Sequence, residues 1–134
     1  MYLVGKIRIL ITKGRNLYMT ARQAIIRNQK DIELVKRPNN REVYGKQLTV
    51  NAENDRLSVL LVTIKAGGEI LPHTHEVLEV IYVIQGEGSA LVNGERKKSE
   101  PGTIIVALAG NEHGFLNTGS TDVILYCVFS PGIA

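Results

Sequence analysis

The stretch that decides the fold is residues 67–86, which read GGEILPHTHEVLEVIYVIQG. One residue separates His73 from His75, and Glu79 follows four residues after His75. Alternate residues of a β-strand point to the same face, so these even spacings can direct two imidazoles and a carboxylate to one point. The stretch therefore predicts half of a metal-binding site, carried on strands.

The chain has only one more histidine, His113, which arrives from a later predicted strand. Imidazole and carboxylate ligands suit Mn, Fe, Co, Ni, Cu or Zn, whereas Ca²⁺ prefers oxygen ligands alone. Four protein ligands on an octahedral ion leave two positions open for water, substrate or dioxygen. We therefore expect one divalent ion, with the ligands His73, His75, Glu79 and His113.

An isolated His-x-His pair is usually an ordinary strand feature, but here glycines frame both halves of the pattern. The sequence reads Gly67-x5-His73-x-His75-x3-Glu79-x6-Gly86 and then Gly102-x5-Leu108-x-Gly110-x2-His113-x3-Asn117. This resembles the two-part motif of the cupin superfamily, with Leu108 where those proteins usually have proline. The resemblance covers about residues 43–130. It implies an all-β, single-domain cupin fold, a double-stranded β-helix or jelly-roll barrel.

The whole chain divides into an N-terminal arm, residues 1–42, and the barrel, residues 43–134, which contains the motif. Alternation predicts a short strand within residues 1–13, and Thr20 with Gln23 resembles a capping box before a short helix over Ala21–Gln29. Further strands are predicted at Val43–Val50, Leu57–Lys65, Val77–Gln85, Ser89–Val92, Glu95–Lys98, Thr103–Leu108, His113–Asn117 and Val123–Phe129.

Strand parity also predicts which side chains accompany the ligands. Ile81 and Val83 should share the inward face with Glu79, and Phe115 should share it with His113. Tyr82 falls on the opposite parity and should pack on the outside. Glu76 also has the opposite parity; it is a weak candidate for a catalytic proton donor and otherwise a surface acid.

Composition limits the class of protein. With 134 residues, 44% of them apolar, and a single cysteine, Cys127, the chain suits one globular domain without an intrachain disulfide. No stretch resembles a targeting segment or a membrane span, so we expect a soluble cytoplasmic protein that does not bind membranes.

Charge is unevenly distributed along the chain. Residues 1–46 hold eleven Lys or Arg and three acids, whereas the remainder holds five basic and ten acidic residues. No nucleic-acid-binding motif accompanies the basic arm, so we expect no nucleic-acid partner. Instead, the arm could be solvated or pack on the acidic barrel of a second subunit, with its apolar side chains supplying most of the energy. We expect a homodimer.

The resemblance implies a metal-dependent enzyme. The His-x-His-x3-Glu spacing is most similar to the oxalate decarboxylase-like group, which implies Mn(II), with Fe(II), Ni(II), Zn(II) or Co(II) as alternatives, and lyase chemistry on a small carboxylate. Two features depart from that group: Ile70 stands where an arginine is usual, and Asp122 is the only acid after Asn117, where a lid glutamate is usual. A dioxygenase acting on a small apolar or aromatic substrate and a non-catalytic metal- or ligand-binding module remain alternatives.

Overall fold

The computed structural model describes residues 6–12, 15–20 and 23–134, and describes side chains from Gln23 onward. Nearly all of its regular structure is β, and the described residues contain no helix long and apolar enough to cross a membrane. The strands are β1 (Lys6–Thr12), β2 (Arg15–Thr20), β3 (Val35–Lys36), β4 (Arg41–Gln47), β5 (Ser58–His73), β6 (Leu78–Gln85), β7 (Gly88–Val92), β8 (Glu95–Ser99), β9 (Ile104–Ala107), β10 (His113–Asn117) and β11 (Val123–Ser130).

Strands β3 to β11 form one antiparallel sheet, ordered β8-β7-β10-β5-β11-β6-β9, with β4 also paired to β5 and β3 to β4. The sheet curls around a single apolar core, because alternate residues of each long strand point inward. In β11, for example, Val123, Leu125, Cys127 and Phe129 are buried while the residues between them are more exposed. The expected all-β architecture, with one sheet curled around one core, is confirmed.

The parity predictions are confirmed as well. Ile81, Val83 and Phe115 are almost completely buried, whereas the side chain of Tyr82 is 45% exposed on the outer face. All eight strands predicted after residue 42 are present; His113–Asn117 has the predicted bounds, and the other seven have shifted ends. The largest shift is in β5, which was expected to end at Lys65 and continues to His73.

The N-terminal arm differs from expectation in one respect. The short helix predicted over Ala21–Gln29 is wrong for its described part, because residues 23–28 have no regular structure and only a 3-10 turn follows at Gln29–Asp31. Ile25 and Ile26 are 59% and 98% exposed. A helix there would have no apolar face packed on the core, and a capping signal alone does not stabilise so short a helix.

The described part of the arm contains an antiparallel pair in which β1 runs beside β2, from Lys6 opposite Thr20 to Thr12 opposite Arg15. The apolar side chains expected to supply most of the energy for packing on a second subunit (Leu3, Val4, Ile7, Ile9 and Ile11) lie outside the part of the chain whose side chains are described. The end of the arm joins the main sheet through β3, and the proposed boundary between residues 42 and 43 stays a prediction.

Strand β5 bends at Gly67 and Gly68 and continues beyond them to His73. Its register with β4 slips between the pairs Val43–Ile64 and Arg41–Glu69, and Gly67 has a positive φ of 75°. A Cβ atom on Gly68 would lie 2.8 Å from the backbone oxygens of Arg41 and Lys65. Glycine is therefore needed for this bulge, which redirects the second half of β5 toward β10.

Gly88 provides a test of how closely β7 packs against β10. A Cβ atom there would lie 2.2 Å from the ring of the buried Phe115 and 2.5 Å from the backbone oxygen of Leu116. We predict that Gly88→Ala lowers the free energy of unfolding by about 1–3 kcal/mol, because the core must shift to admit a methyl group. Urea denaturation followed by circular dichroism measures the change.

Gly119→Ala is the matched control, because its Cβ would make only ordinary contacts, the nearest at 3.6 Å. Its effect should stay within about 0.5 kcal/mol, as for most surface substitutions. Equal stability of the two variants would contradict the packing described for β7 and β10.

Candidate metal centre

Four side chains meet inside the curled sheet: His73, His75, Glu79 and His113, whose ligand atoms all lie within 4.8 Å of one another. His73 ends β5 and stands directly opposite His113, the first residue of β10. Glu79 points inward from β6. The convergence that the sequence spacing predicted is therefore present.

His75 reaches the cluster differently from the way the spacing suggested. It lies in the connection after β5, residues 74–77, and not on the strand. Its ring is oriented by a hydrogen bond from Nδ1 to the carbonyl oxygen of Val77, at 2.9 Å. Local hydrogen bonding, and not strand parity, sets its direction.

All three imidazoles are held in this way. Nδ1 of His73 lies 2.8 Å from the carbonyl oxygen of Leu71, and Nδ1 of His113 lies 2.9 Å from that of Asn111. A carbonyl oxygen only accepts, so each Nδ1 carries a proton and donates it. In each neutral ring, Nε2 is left with a lone pair as the ligand atom, which is how second-shell contacts prepare histidines for metals.

Glu79 is the charged partner at the centre. It is 5% exposed, and its Oε2 lies 2.9 Å from Nε2 of His75 and 2.9 Å from Nε2 of His113. Burial by itself raises the pKa of Glu79, but the hydrogen bonds from His113 and His75 outweigh burial, so its pKa lies below the ordinary value. Burial likewise opposes the charged form of His113, but Glu79 and the Asn111 carbonyl keep its pKa above the ordinary value.

These distances fit a metal ion. A neutral imidazole whose proton is on Nδ1 cannot donate from Nε2, so a carboxylate 2.9 Å away requires either a protonated ring or a cation between the groups. Two donors at right angles around an ion, each at about 2.1 Å, lie about 3.0 Å apart. The group could therefore bind one divalent metal ion through three nitrogens and one carboxylate.

A cavity of about 490 Å³ opens onto this cluster. Its walls are largely apolar, and Glu79 is the only acid among the described residues that line it. The remaining lining residues are Arg37, Pro38, Asn39, Asn40, Val43, Leu60, Val62, Ile70, Leu71, Pro72, His73, His75, Cys127, Phe129 and Ile133.

The sequence of residues 60–129, just over half of the chain, matches the family described as cupin domain. The chain belongs to the cupin family. The match begins in β5 and ends in β11, so it contains all four residues of the metal centre. This agrees with the two-part motif seen in the sequence.

Other cupins with similar sequences include L-ectoine synthases. The chain is 28% identical to the one from Vibrio campbellii over 88 residues, which are 65% of this chain and 69% of that protein. It is 32% identical to the one from Vibrio cholerae O1 (strain N16961) over 72 residues, which are 53% of this chain and 51% of that protein. The chain thus matches between about half and two thirds of these relatives.

Solved structures with the same fold span several activities. The polyketide cyclase RemF from Streptomyces resistomycificus matches with a TM-score of 0.73 and 22% identity, over 81% of this chain and 80% of that one. The predicted oxalate decarboxylase from Thermotoga maritima matches with a TM-score of 0.73 and 20% identity, over 80% and 99%. Ectoine synthase from P. lautus matches with a TM-score of 0.72 and 22% identity, over 83% and 80%. These similarities establish the fold.

Cys127 lines the cavity of this cupin as a buried thiol. Burial raises the pKa of Cys127 well above its ordinary value, and the Glu79 carboxylate beside it raises the pKa further, while Arg37 acts in the opposite direction. The thiol is therefore a neutral part of the cavity wall near the metal centre.

Arg37 was not identified from the sequence, although it is the only lysine or arginine among the described residues that line the cavity. It follows β3, and its backbone N–H donates to the carbonyl oxygen of Val43 at 2.8 Å. One signal in the sequence could have indicated it. Gly45 interrupts an otherwise β-prone strand, and a glycine inside a strand often marks a close approach by another segment.

Three other residues considered from the sequence (Glu76, Ile70 and Asp122) are not part of the His–Glu cluster. Glu76 is exposed and does not line the cavity, so a role as proton donor stays a prediction without support from its position. Ile70 does line the cavity, so the position where the oxalate decarboxylase resemblance would place an arginine is apolar here. Asp122 forms an ion pair with Lys65 at 3.0 Å and is not a lid acid over the cavity.

The pairing of Glu79 with His113 predicts how the metal-free protein responds to pH. A raised pKa of His113 contributes stability below the ordinary imidazole pKa of about 6.5, and this contribution is lost as pH rises through the folded pKa. A lowered pKa of Glu79 contributes stability above the ordinary carboxyl pKa, and this is lost as pH falls through its folded value. The urea concentration at which half of the EDTA-treated protein is unfolded should therefore be lower at pH 8 than at pH 6.

Glu79→Gln is the control, because it removes the charge that raises the pKa of His113, and its midpoint should change less over the same range. Adding Mn(II) to the wild type should reverse the trend, since imidazole must lose its proton to bind a metal. A metal-free midpoint that does not change with pH would contradict the coupling of Glu79 to His113.

Proposed function

We propose that this cupin is a metal-dependent enzyme that acts on a small molecule carrying a carboxylate. The supporting observation is the cluster of three preoriented imidazoles and the buried Glu79, of which His73, His75 and Glu79 line a largely apolar cavity. We propose His73, His75, Glu79 and His113 as ligands of one first-row divalent ion. Mn(II) is the first choice because of the resemblance to oxalate decarboxylases, with Fe(II), Co(II), Ni(II) and Zn(II) accepted by the same ligand types.

Each part of the site has a role in this proposal. When bound, a divalent ion supplies Lewis acidity that stabilises negative charge on a carboxylate or on the group it becomes. Hydrogen bonds to backbone carbonyls hold the imidazoles of His73, His75 and His113 in position. Glu79 offsets part of the ionic charge, and the apolar walls exclude bulk water, which strengthens electrostatic interactions inside.

Two related activities are candidates for the reaction itself. Lyase chemistry like that of oxalate decarboxylase is supported by the spacing of the ligands, but no second carboxylate lines the cavity within the described residues. A reaction like that of L-ectoine synthase is supported by the 28% sequence identity to the Vibrio campbellii enzyme. Both belong to one hypothesis, a metal-bound small molecule converted inside the cavity.

Metal content and turnover, measured on the same preparations, test the proposal. Wild type should contain about one equivalent of divalent metal by elemental analysis, and His75→Ala and Glu79→Gln should lose it. Glu76→Gln is the matched control: it changes an acid three residues from Glu79 that is exposed and outside the cavity, so it should retain the metal. Wild type without metal, even after incubation with Mn(II), would contradict the proposal.

Turnover then separates the candidates. Mn(II)-loaded protein is assayed for carbon dioxide release from oxalate, for oxygen uptake, and for L-ectoine formation from the substrate of L-ectoine synthase. Activity in any assay should disappear in Glu79→Gln. Turnover by Glu76→Gln tests the prediction that Glu76 donates a proton. Tight metal binding with no turnover of any carboxylate would support the alternative of a non-catalytic module.

A homodimer is the proposed assembly, and the outer surface of the sheet supports it. Tyr126, Tyr82 and Ile104 are aligned across the neighbouring strands β11, β6 and β9. With Ile84 and Val106 they form an apolar outer face, and each of the five is between 39% and 62% exposed. Contiguous apolar patches of this kind mark interfaces more often than free surface.

A cytoplasmic location stays a prediction.

Sedimentation velocity tests the dimer. Ile104→Lys should shift the protein toward monomer, because it places a charge within the proposed contact, at its most exposed apolar side chain. Ile26→Lys is the matched control, since Ile26 is 98% exposed and lies outside the apolar outer face. A wild-type monomer, or an Ile104→Lys variant that stays a dimer, would contradict this interface.

A further inference from the structure

Arg37 is unlike the other arginines of the described residues. Arg27, Arg41 and Arg96 each form an ion pair with a glutamate. Arg56 and Arg37 have no carboxylate within ion-pair distance among the described residues, but Arg56 is exposed, whereas Arg37 is half-buried and lines the cavity. A half-buried guanidinium beside an apolar cavity is a strong position for an anion, because little water competes for it.

The fold holds the side chain of Arg37 in place. Val35 pairs with Gly45 in the register of β3 with β4, and the side chain of Arg37 lies across Gly45. A Cβ atom on Gly45 would lie 3.1 Å from Cδ of Arg37. The absence of a side chain at Gly45 therefore creates the space that Arg37 occupies.

The turn after Arg37 is anchored as well. Pro38, Asn39 and Asn40 line the cavity, and Oδ1 of Asn40 accepts a hydrogen bond from the backbone N–H of Leu71 at 3.0 Å. Leu71 lies two residues before His73, so this bond ties the segment that carries Arg37 to the strand that carries the metal centre. Preorganisation of this kind lowers the entropic cost of binding a ligand.

The chemistry between Arg37 and the cluster restricts the ligand. Leu60, Val62, Ile70 and Phe129 give the cavity apolar walls, and its volume of about 490 Å³ is far more than a two-carbon acid fills. A ligand that uses the whole cavity needs an anionic group for Arg37, an apolar body for the walls and a group for the metal centre.

We propose that Arg37 is the residue that binds the substrate carboxylate, and that the substrate is an acid with an apolar body larger than oxalate. This deepens the proposed function, because it names the anion-binding group and the substrate class of the same cavity. Ile70 cannot bind an anion, and Arg37 supplies that function from the segment between β3 and β4. The planar guanidinium can pair with both oxygens of one carboxylate.

Isothermal titration with benzoate and its neutral isostere benzamide tests the proposal, on full-length protein both treated with EDTA and loaded with Mn(II). Wild type should bind benzoate at least tenfold more tightly than benzamide in the EDTA-treated form. Arg37→Gln should abolish this preference, and Arg37→Lys should retain part of it. Gly45→Ala should weaken benzoate binding less than Arg37→Gln does, because its methyl group would lie 3.1 Å from Cδ of Arg37 and the side chain needs to move only slightly.

Arg56→Gln is the matched control, because it removes the same charge at an exposed position outside the cavity and should bind benzoate as wild type does. Thermal melts confirm that each variant is folded. No benzoate binding by wild type, an unchanged preference in Arg37→Gln, or an equal loss in Arg56→Gln would each overturn the proposal.

The two forms of the protein separate this inference from the proposed function. Benzoate binding that depends on Arg37 in protein that takes up no metal would support Arg37 and contradict the metal enzyme. Normal metal uptake with benzoate binding that ignores Arg37 would contradict the present inference and leave the metal centre intact.

Discussion

A buried carboxylate sets the main constraint on this molecule. Glu79 is 5% exposed and lies 2.9 Å from the Nε2 atoms of two histidines whose Nδ1 protons are already donated elsewhere. A charge in such a place is costly unless a cation accompanies it. In the metal-free protein a proton on His113 supplies the positive charge. The raised pKa of His113 and the lowered pKa of Glu79 are the result of this pairing. A divalent ion would satisfy all four side chains together.

The rest of the sheet serves to bring these groups together. The bulge at Gly67 and Gly68 redirects β5 so that His73 stands opposite His113 on β10. Strand β11 links β5 to β6 and thereby positions Glu79. The same curl creates the apolar cavity, so fold and site arise from one arrangement. The β3–β4 hairpin then adds Arg37 from outside the part of the chain that matches the cupin family.

Much of this was predictable from sequence because it depends on local periodicity. The alternation in residues 78–85 indicated that Ile81 and Val83 point inward with Glu79 and that Tyr82 points outward, and the structure agrees. The convergence of His73, His75, Glu79 and His113 was predicted from even spacing and from the motif that the chain shares with cupins, although His75 lies off the strand. Binding of a metal there stays a prediction.

Features that depend on long-range pairing were not predictable in this way. The cavity position of Arg37 requires the register of β3 against β4 and the space above Gly45, neither of which appears in a local pattern. His75 reaches the cluster through a hydrogen bond in a connection and not through strand parity. The helix over Ala21–Gln29 was predicted from a local capping signal, but exposed Ile25 and Ile26 show that no core is available to support one there.

The most direct test of the account is the position of the ion itself. Crystals of Mn(II)-loaded protein, measured on both sides of the manganese absorption edge, show where the metal binds. The account predicts one anomalous peak within bonding distance of the Nε2 atoms of His73, His75 and His113 and of the Glu79 carboxylate. No peak in the cavity, or a peak bound by other residues, would contradict it.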